Sequence, residues 1–588
     1  MQFNFKKACL VFSMGLAVSA STWAKNNVEH IYINGKIYTA VENAPLQQAI
    51  AIGSDGTIIK VGSDKEIKKL ADQTTQVTDL GQKVLLPGMI DSHVHTLVSG
   101  VEGALATLDE ADRDLKVLEQ KLIQAQKDGT GIAGDVLFMN GLSSEYWEQN
   151  AQISKLFNSK PWKDQAIVLV GSDHHTAWAN QAMLKKAGID AAYVKALRPA
   201  SQKNISHDTK FNPTGFLVDS GWDMVSEHIP ALSHEVMYQG SKQAVQYYNS
   251  LGITAWMDIA ANGKPLQGIF NMHNTENTLG MIPMYKELSE NGDLSARVSG
   301  LHVINSKSTE QVLDVVEKIN QKYSNIENFK LIGLKIFADG VIEYPAQSAA
   351  LMGKYSNTQN SGQLLFDPVQ FKGLVNEADK RGILIHIHAI GDRAVHESLN
   401  AIEYARSQRQ SAISHSITHL QLVDPKDYPR FKQNNVIASM QLAWAYEDGM
   451  NLSLVKPYIS AESYKGMYPA HSLIQHGATI AGASDAPVST PNPFEAMAVA
   501  MTRKGPDGGY LNPAEAITLD QILKAYTINS AKALGLSAQI GSLEAGKKAD
   551  MVILDRDIFK ANPQQLSQTQ VVTTIFNGKQ VYQQSSKN

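Results

Sequence analysis

His93-Val94-His95 carries two imidazoles separated by one residue, and side chains so spaced on a β-strand face the same side. Two such rings at a strand end can converge on one cation. Taken alone, the pair reads more readily as solvated or hydrogen-bonded histidine. Three further places change its standing. Ile385-His386-Ile387-His388-Ala389 puts histidine near the end of an apolar run, just ahead of Gly391-Asp392. Ile417-Thr418-His419-Leu420 repeats the arrangement, and Ile480-Ala481-Gly482-Ala483-Ser484-Asp485 ends a run with a carboxylate. Nitrogen and oxygen donors of this kind suit zinc, and also manganese, iron or cobalt. A divalent ion held this way activates water and polarises a carbonyl.

The elements that must bring these groups together are short apolar runs alternating with amphipathic stretches, the pattern of a parallel-sheet α/β architecture. Strands are expected at Ala166 to Val170, Lys330 to Phe337, Ile383 to Ala389, Ser416 to Leu420, Val436 to Gln441 and Ala478 to Ser484. Helices are expected at Glu110 to Lys127, Glu235 to Ser250, Thr309 to Lys322, Pro368 to Arg381, Ala394 to Gln408 and Leu519 to Leu534. In a parallel barrel all the C-terminal strand ends open on one face, so ligands scattered along the chain become neighbours. The stretch from about 100 to 251 is too long for one crossover and reads as an inserted subdomain. Both ends of the chain carry hairpin material: Asn34-Gly35 and Asp55-Gly56 near the start, Asn577-Gly578 near the finish, each flanked by alternating strands. They are expected to meet in one small β domain.

At the N-terminus, Lys6 and Lys7 precede the apolar stretch Ala8 to Ala20, and Thr22-Trp23-Ala24 offers a small-residue cleavage site. This reads as a signal peptide over residues 1–24, giving a periplasmic or secreted protein. Cys9, the single cysteine, lies inside it. The mature chain therefore has no disulfides or thiolate ligands to draw on. Cleavage moves the formal charge from −4 to −6, because Lys6 and Lys7 leave and no acid does. A mildly acidic chain without a basic stripe argues against nucleic acid and for a small-molecule substrate. No membrane association is expected after cleavage, and a homo-oligomer is left open.

The chain resembles the amidohydrolase superfamily, and within it the amidohydrolase-3 branch that includes N-substituted formamide deformylase-like proteins. The resemblance covers nearly the whole mature chain. It rests on Leu86-Pro87-Gly88-Met89-Ile90-Asp91-Ser92-His93-Val94-His95, Leu334-Lys335-Ile336-Phe337-Ala338-Asp339-Gly340, His388-Ala389-Ile390-Gly391-Asp392-Arg393-Ala394-Val395, Ser484-Asp485-Ala486-Pro487-Val488 and Ile540 to Asp550. It implies a (β/α)8 metal-dependent hydrolase barrel over 88–535, with a β-sandwich domain built from 25–87 and 536–588. It also implies that His93 and His95 ligate the more buried metal, that His388 and His419 ligate a second, that Lys335 bridges them as a carboxylated lysine, and that Asp485 is both ligand and general base. A plain lysine in an ion pair, with a single metal, is the alternative for Lys335. His386 is read as core or wall.

Ser172-Asp173-His174-His175-Thr176-Ala177-Trp178-Ala179-Asn180 is similar to the branch's Asp-Gly-His-Ser-Ala-Trp-Ala-Asn stretch, with His174 in place of the usual glycine. His175 is placed near the substrate on that basis, a helix-capping histidine being the alternative. Arg393 is a second substrate-binding candidate, and Asp339 and Arg393 are equally explained by a turn and an ion pair. The activity implied is hydrolysis of a non-peptide carbon–nitrogen bond, an N-acyl or N-formyl amide, with one or two divalent ions, zinc first among them. A mononuclear deaminase or cyclic-amide hydrolase is the alternative among enzymes, and a non-catalytic binding protein on the same scaffold is the alternative outside them.

Overall fold

The computed structural model describes residues 28–108, 114–172, 175–267, 278–506 and 508–585. The signal-peptide reading of residues 1–24 and the substitution at His174 lie outside these residues. Eight strands run parallel in chain order around one sheet: β1 (Met89–Val94), β2 (Ile253–Asp258), β3 (Arg297–Val303), β4 (Phe329–Phe337), β5 (Leu384–Ala389), β6 (Ser416–His419), β7 (Ile437–Met440) and β8 (Thr479–Gly482). Strands enclosed on both faces read as continuous apolar runs, and β5 is buried at all six positions. Across the seam, β8 meets β1 through side-chain and loop bonds. The Ser92 hydroxyl donates to Gly482 O (2.9 Å), and the Asp485 N–H donates to His93 O (2.8 Å). These two bonds set the carboxylate directly beside the histidine pair.

Around the strands lie α1 (Thr96–Gly103), α2 (His234–Ser250), α3 (Pro368–Arg381) and α4 (Asp392–Gln408). α3 shows why such segments stop where they do. Asp367 caps it by accepting from Val369 N (2.9 Å) and Gln370 N (3.1 Å), and Gly382 ends it at a left-handed φ of 78°, the stop that glycine makes cheaply. α2 packs with α1 against the barrel. A Cβ on Gly100 would sit 2.3 Å from Ala244 Cβ, so only glycine permits that crossing. α2, which lies within the stretch read as the insertion, thus packs directly on α1. The expected helix over Leu519 to Leu534 is three pieces: Leu519–Lys524, a wide turn at Ala525–Asn529, and Ser530–Ala533.

The insertion forms a six-stranded sheet in the order Ile205–His207, Pro213–Val218, Thr176–Ala179, Ala166–Gly171, Val136–Leu142, Ile132–Ala133. The two chain ends share another sheet, in which Val84–Pro87 pairs antiparallel with Met551–Leu554, Val552 facing Leu86. A four-stranded sheet from the N-terminal part packs on it around Ile50, Ile52, Leu85, Met551 and Ile575. The Arg297 to Asp550 ion pair (3.0 Å) ties this unit to the start of β3. No described helix is long and apolar enough to cross a membrane.

Candidate functional site

His93 lies on β1 and His95 just past its end, His388 and Lys335 lie on β5 and β4, His419 ends β6, and Asp485 follows β8. All six are buried. Asp485 Oδ1 lies 3.1 Å from His93 Nε2 and 3.5 Å from His95 Nε2, and its Oδ2 lies 3.9 Å from His419 Nδ1. The donor atoms of His93, His95 and Asp485 all fall within 4.8 Å of one another. The His388 and His419 rings are 4.4 Å apart, and the His93 and His419 rings 4.9 Å apart. His419 and Asp485 sit at φ values of 73° and 57°. Such left-handed backbone at a non-glycine residue costs about 1–3 kcal/mol and persists where the surroundings hold it for function.

The wall decides which nitrogen each ring presents. His93 Nδ1 meets His386 Nε2 at 2.7 Å, and His386 Nδ1 meets the Ser416 hydroxyl at 2.6 Å. His93 thus turns Nε2 toward Asp485. His388 Nε2 donates to Gly340 O (3.0 Å), and His419 Nδ1 donates to Gln441 Oε1 (3.2 Å). Each ring spends one N–H on the wall and keeps the lone pair of its other nitrogen, as metal-binding histidines do. Burial, with Lys335 adding to it, pushes His93 down to about 3. Burial likewise holds His386, His388 and His419 well below the usual histidine range. Burial alone would raise Asp485, but the facing imidazoles outweigh it and keep the carboxyl well below its usual range. The imidazole nitrogens of His93, His95, His388 and His419 beside the Asp485 carboxylate are a donor set that fits a divalent cation.

Lys335 is 1% exposed, and its ammonium lies over the Phe337 ring at 5.0 Å. Burial pushes it down to about 7 against the opposing pull of Asp485. No ion pair joins it to a carboxylate among the described residues.

The cluster opens on two cavities. The inner one, about 50 Å³, is walled by Phe138, Val170 and Trp222 from the insertion and by Ile259, Leu266 and Phe337 from the barrel. The outer one, about 340 Å³, lies among the loops after β4, β6 and β7. His175 borders both, its Nδ1 held 3.0 Å from Asp219 Oδ1. Arg393 borders neither. It is exposed on α4, its backbone N–H bonded to Ala350 O (3.1 Å). Asp339 is buried and accepts from the N–H groups of Ala350 (2.9 Å), Ile390 (3.0 Å) and Gly391 (2.8 Å), pinning the loop after β4 to the end of β5.

Sequence reasoning passed over Asp91, although it stands in the motif of the histidine pair. Its Oδ1 accepts from His93 N (3.0 Å) and from Ser484 N (3.1 Å), locking the ends of β1 and β8 in register. It also passed over Gln441 and Glu102. Glu102 is buried beside the inner cavity, and burial pushes its carboxyl up to about 7.

The model of the amidohydrolase family known as Amidohydro_3 matches residues 76–582. The chain belongs to the amidohydrolase family. Amidohydrolases of this kind are metal-dependent hydrolases of carbon–nitrogen bonds, and the triad of His93, His95 and Asp485 is where this one has ligands for a divalent metal. The chain is 28% identical over 566 residues to Protein LONG AFTER FAR-RED 3 of Arabidopsis thaliana, covering 93% of this chain and 91% of that protein. It is 24% identical over 573 residues to the N-substituted formamide deformylase of Arthrobacter pascens, covering 94% and 98%. An uncharacterized metal-dependent hydrolase from Pyrococcus horikoshii shares the amidohydrolase's fold at a TM-score of 0.68 and 24% identity, over 91% of this chain and 99% of that one.

Proposed function

We propose that this amidohydrolase cleaves N-formyl or short N-acyl amides to a carboxylic acid and an amine. The observation that carries the reading is the convergence of Asp485 and four imidazoles on a cavity of about 50 Å³. We read so small an inner chamber as favouring an acyl group of few heavy atoms over a long chain. The relative from Arthrobacter pascens named N-substituted formamide deformylase supports it.

His93, His95 and Asp485 would hold one divalent ion, zinc by preference for nitrogen-rich sites, and His388 and His419 a second. When bound, such an ion polarises the scissile carbonyl and brings water's pKa from ~15.7 toward ~7. Asp485, ionised and buried, takes the proton from the attacking water and returns it to the departing nitrogen. His386 holds His93 in the tautomer that presents Nε2. The apolar walls exclude bulk water, and His175, fixed by Asp219, contacts the substrate between the two cavities. Lys335 enters as its carbamate, which a free amine forms with carbon dioxide; two carbamate oxygens could serve both ions. The mature enzyme, cut after Ala24, works outside the cytoplasm.

The test is a panel of N-benzyl amides of rising acyl length, assayed with metal-loaded wild type and Asp485→Asn. The formyl and acetyl members are expected to turn over, with the variant slower by about 10²–10⁴-fold on each. Equal turnover by the variant, or a preference for long acyl chains, contradicts the reading.

A further inference from the structure

We infer that the outer cavity is a cation-binding site, and that the preferred substrates are amides whose amine half carries a second, positively charged group such as an ammonium or guanidinium. The orientation, acyl group inward and amine half outward, rests on the reading proposed above. The cation site itself does not.

Three kinds of wall converge there. Trp147, Trp444, Tyr446 and Tyr468 give the cavity aromatic faces. Two of these rings are fixed by stacking, Trp147 on Phe216 at 4.1 Å and Trp444 on His419 at 5.7 Å. Fixed rings present their negative π faces without further ordering cost, and such faces attract organic cations. Beyond the proton-transfer carboxylate, two acids line the cavity, Glu343 from the loop after β4 and Asp448 from the loop after β7, and among the described residues no lysine or arginine does. The basic groups nearby are spent elsewhere: Lys456 pairs with Glu447 (2.7 Å), and the Arg503 guanidinium donates to the carbonyls of Leu511 (3.0 Å), Tyr468 (3.0 Å) and Met467 (2.9 Å).

The third observation points to the ligand itself. Gln421, 5% exposed, lines the cavity and donates from Nε2 to the Tyr468 hydroxyl (2.9 Å), which leaves Oε1 a buried acceptor with no partner among the described residues. A buried acceptor without a donor costs free energy that a ligand N–H recovers. Aromatic faces alone would suit any apolar ring. Added carboxylates and an unfilled acceptor select a ligand that is both positive and rich in N–H donors. The inner cavity differs in having Lys335 in its lining beside the acids Glu102 and Asp485.

Isothermal titration calorimetry of the metal-loaded protein with benzylguanidinium and with benzylurea, its neutral isostere, tests this. The urea carbonyl is the one probe group suited to reaching a metal, so any bias in the comparison runs against the inference. The guanidinium is expected to bind roughly tenfold tighter, and the preference to vanish in the double variant Glu343→Gln, Asp448→Asn. Asparagine at 448 keeps an oxygen for the bond that Asp448 accepts from Asn451 N (2.7 Å). Equal binding of the two probes, or a preference that survives in a folded double variant, overturns the inference. Should the double variant not fold, formamides of benzylamine bearing para-aminomethyl or para-hydroxymethyl groups decide it on wild type. A kcat/KM ratio near one between them overturns the inference. A protein that prefers the guanidinium but hydrolyses no amide refutes the proposed reaction and leaves the cation site standing. One that hydrolyses formamides without the preference does the reverse.

Discussion

The inner and outer cavities share His175, His388, His419 and Asp485 yet are built from different parts of the chain. The barrel's strand ends supply His388, His419 and Asp485, whose positions are set by ladder pairing and by buried bonds such as Ser484 N–H to Asp91, and the insertion supplies His175. The inner walls come from the insertion, from α1, from the end of β4 and from the segments after β2 and β8, and the outer walls from the loops after β4 to β8 together with Trp147, Ser172 and Thr176 of the insertion. Barrel strand ends thus hold most of the ligand-type residues, while the insertion and the loops, parts free to vary in length and sequence, wall much of both cavities. Substitutions in one cavity should then leave the preferences of the other intact.

The largest separable effect is expected at Trp222, 2% exposed and facing the inner cavity. Trp222→Ala should raise the kcat/KM of N-butanoyl relative to N-formyl amides by about tenfold, while destabilising the fold by about 3–5 kcal/mol. A competition assay gives the ratio and urea unfolding the cost. If the guanidinium-over-urea preference moves with it, the two cavities are not independent. The smallest effect is expected at Arg393. Arg393→Ala touches neither cavity and should keep kcat/KM within about twofold of wild type for every substrate, in line with ordinary surface substitutions. A large loss there would restore Arg393 as a substrate contact.

Much of the barrel was legible because β4 to β8 are rich in Ile, Leu, Val and Ala, and β5, β6 and β8 run into His388, His419 and Asp485. β2 and β3 were not named from the sequence, and their composition says why. Ile253-Thr254-Ala255-Trp256-Met257-Asp258 ends in a polar residue with no histidine, and Arg297 to Val303 carries Ser299 and Gly300 at its centre. Gly300 is there because a Cβ would meet the Phe329 ring at 2.8 Å, a close approach that sequence alone does not show. α2 was recognised as a helix but assigned to the insertion, since its docking on α1 depends on Gly100 rather than on its own pattern. Within the site, the ligand-type residues were legible from their place at the ends of apolar runs. Their supports were not: His386 reaches His93 across 293 positions, and Ser484 reaches Asp91 across 393. Such contacts exist only once the barrel closes. Gln421 and Trp222 likewise carry no local signal, being an ordinary loop glutamine and an ordinary buried aromatic until the cavities form.

The central claim is that His93, His95 and Asp485 hold a divalent ion on which hydrolysis depends. Metal content by mass spectrometry and amidase activity, measured together on wild type, on chelator-stripped protein with and without added zinc, and on His95→Ala, test it most directly. At least one ion per chain is expected in wild type, with loss of ion and activity together on stripping, joint recovery with zinc, and joint loss in His95→Ala. Full activity in the stripped, metal-free protein would contradict it.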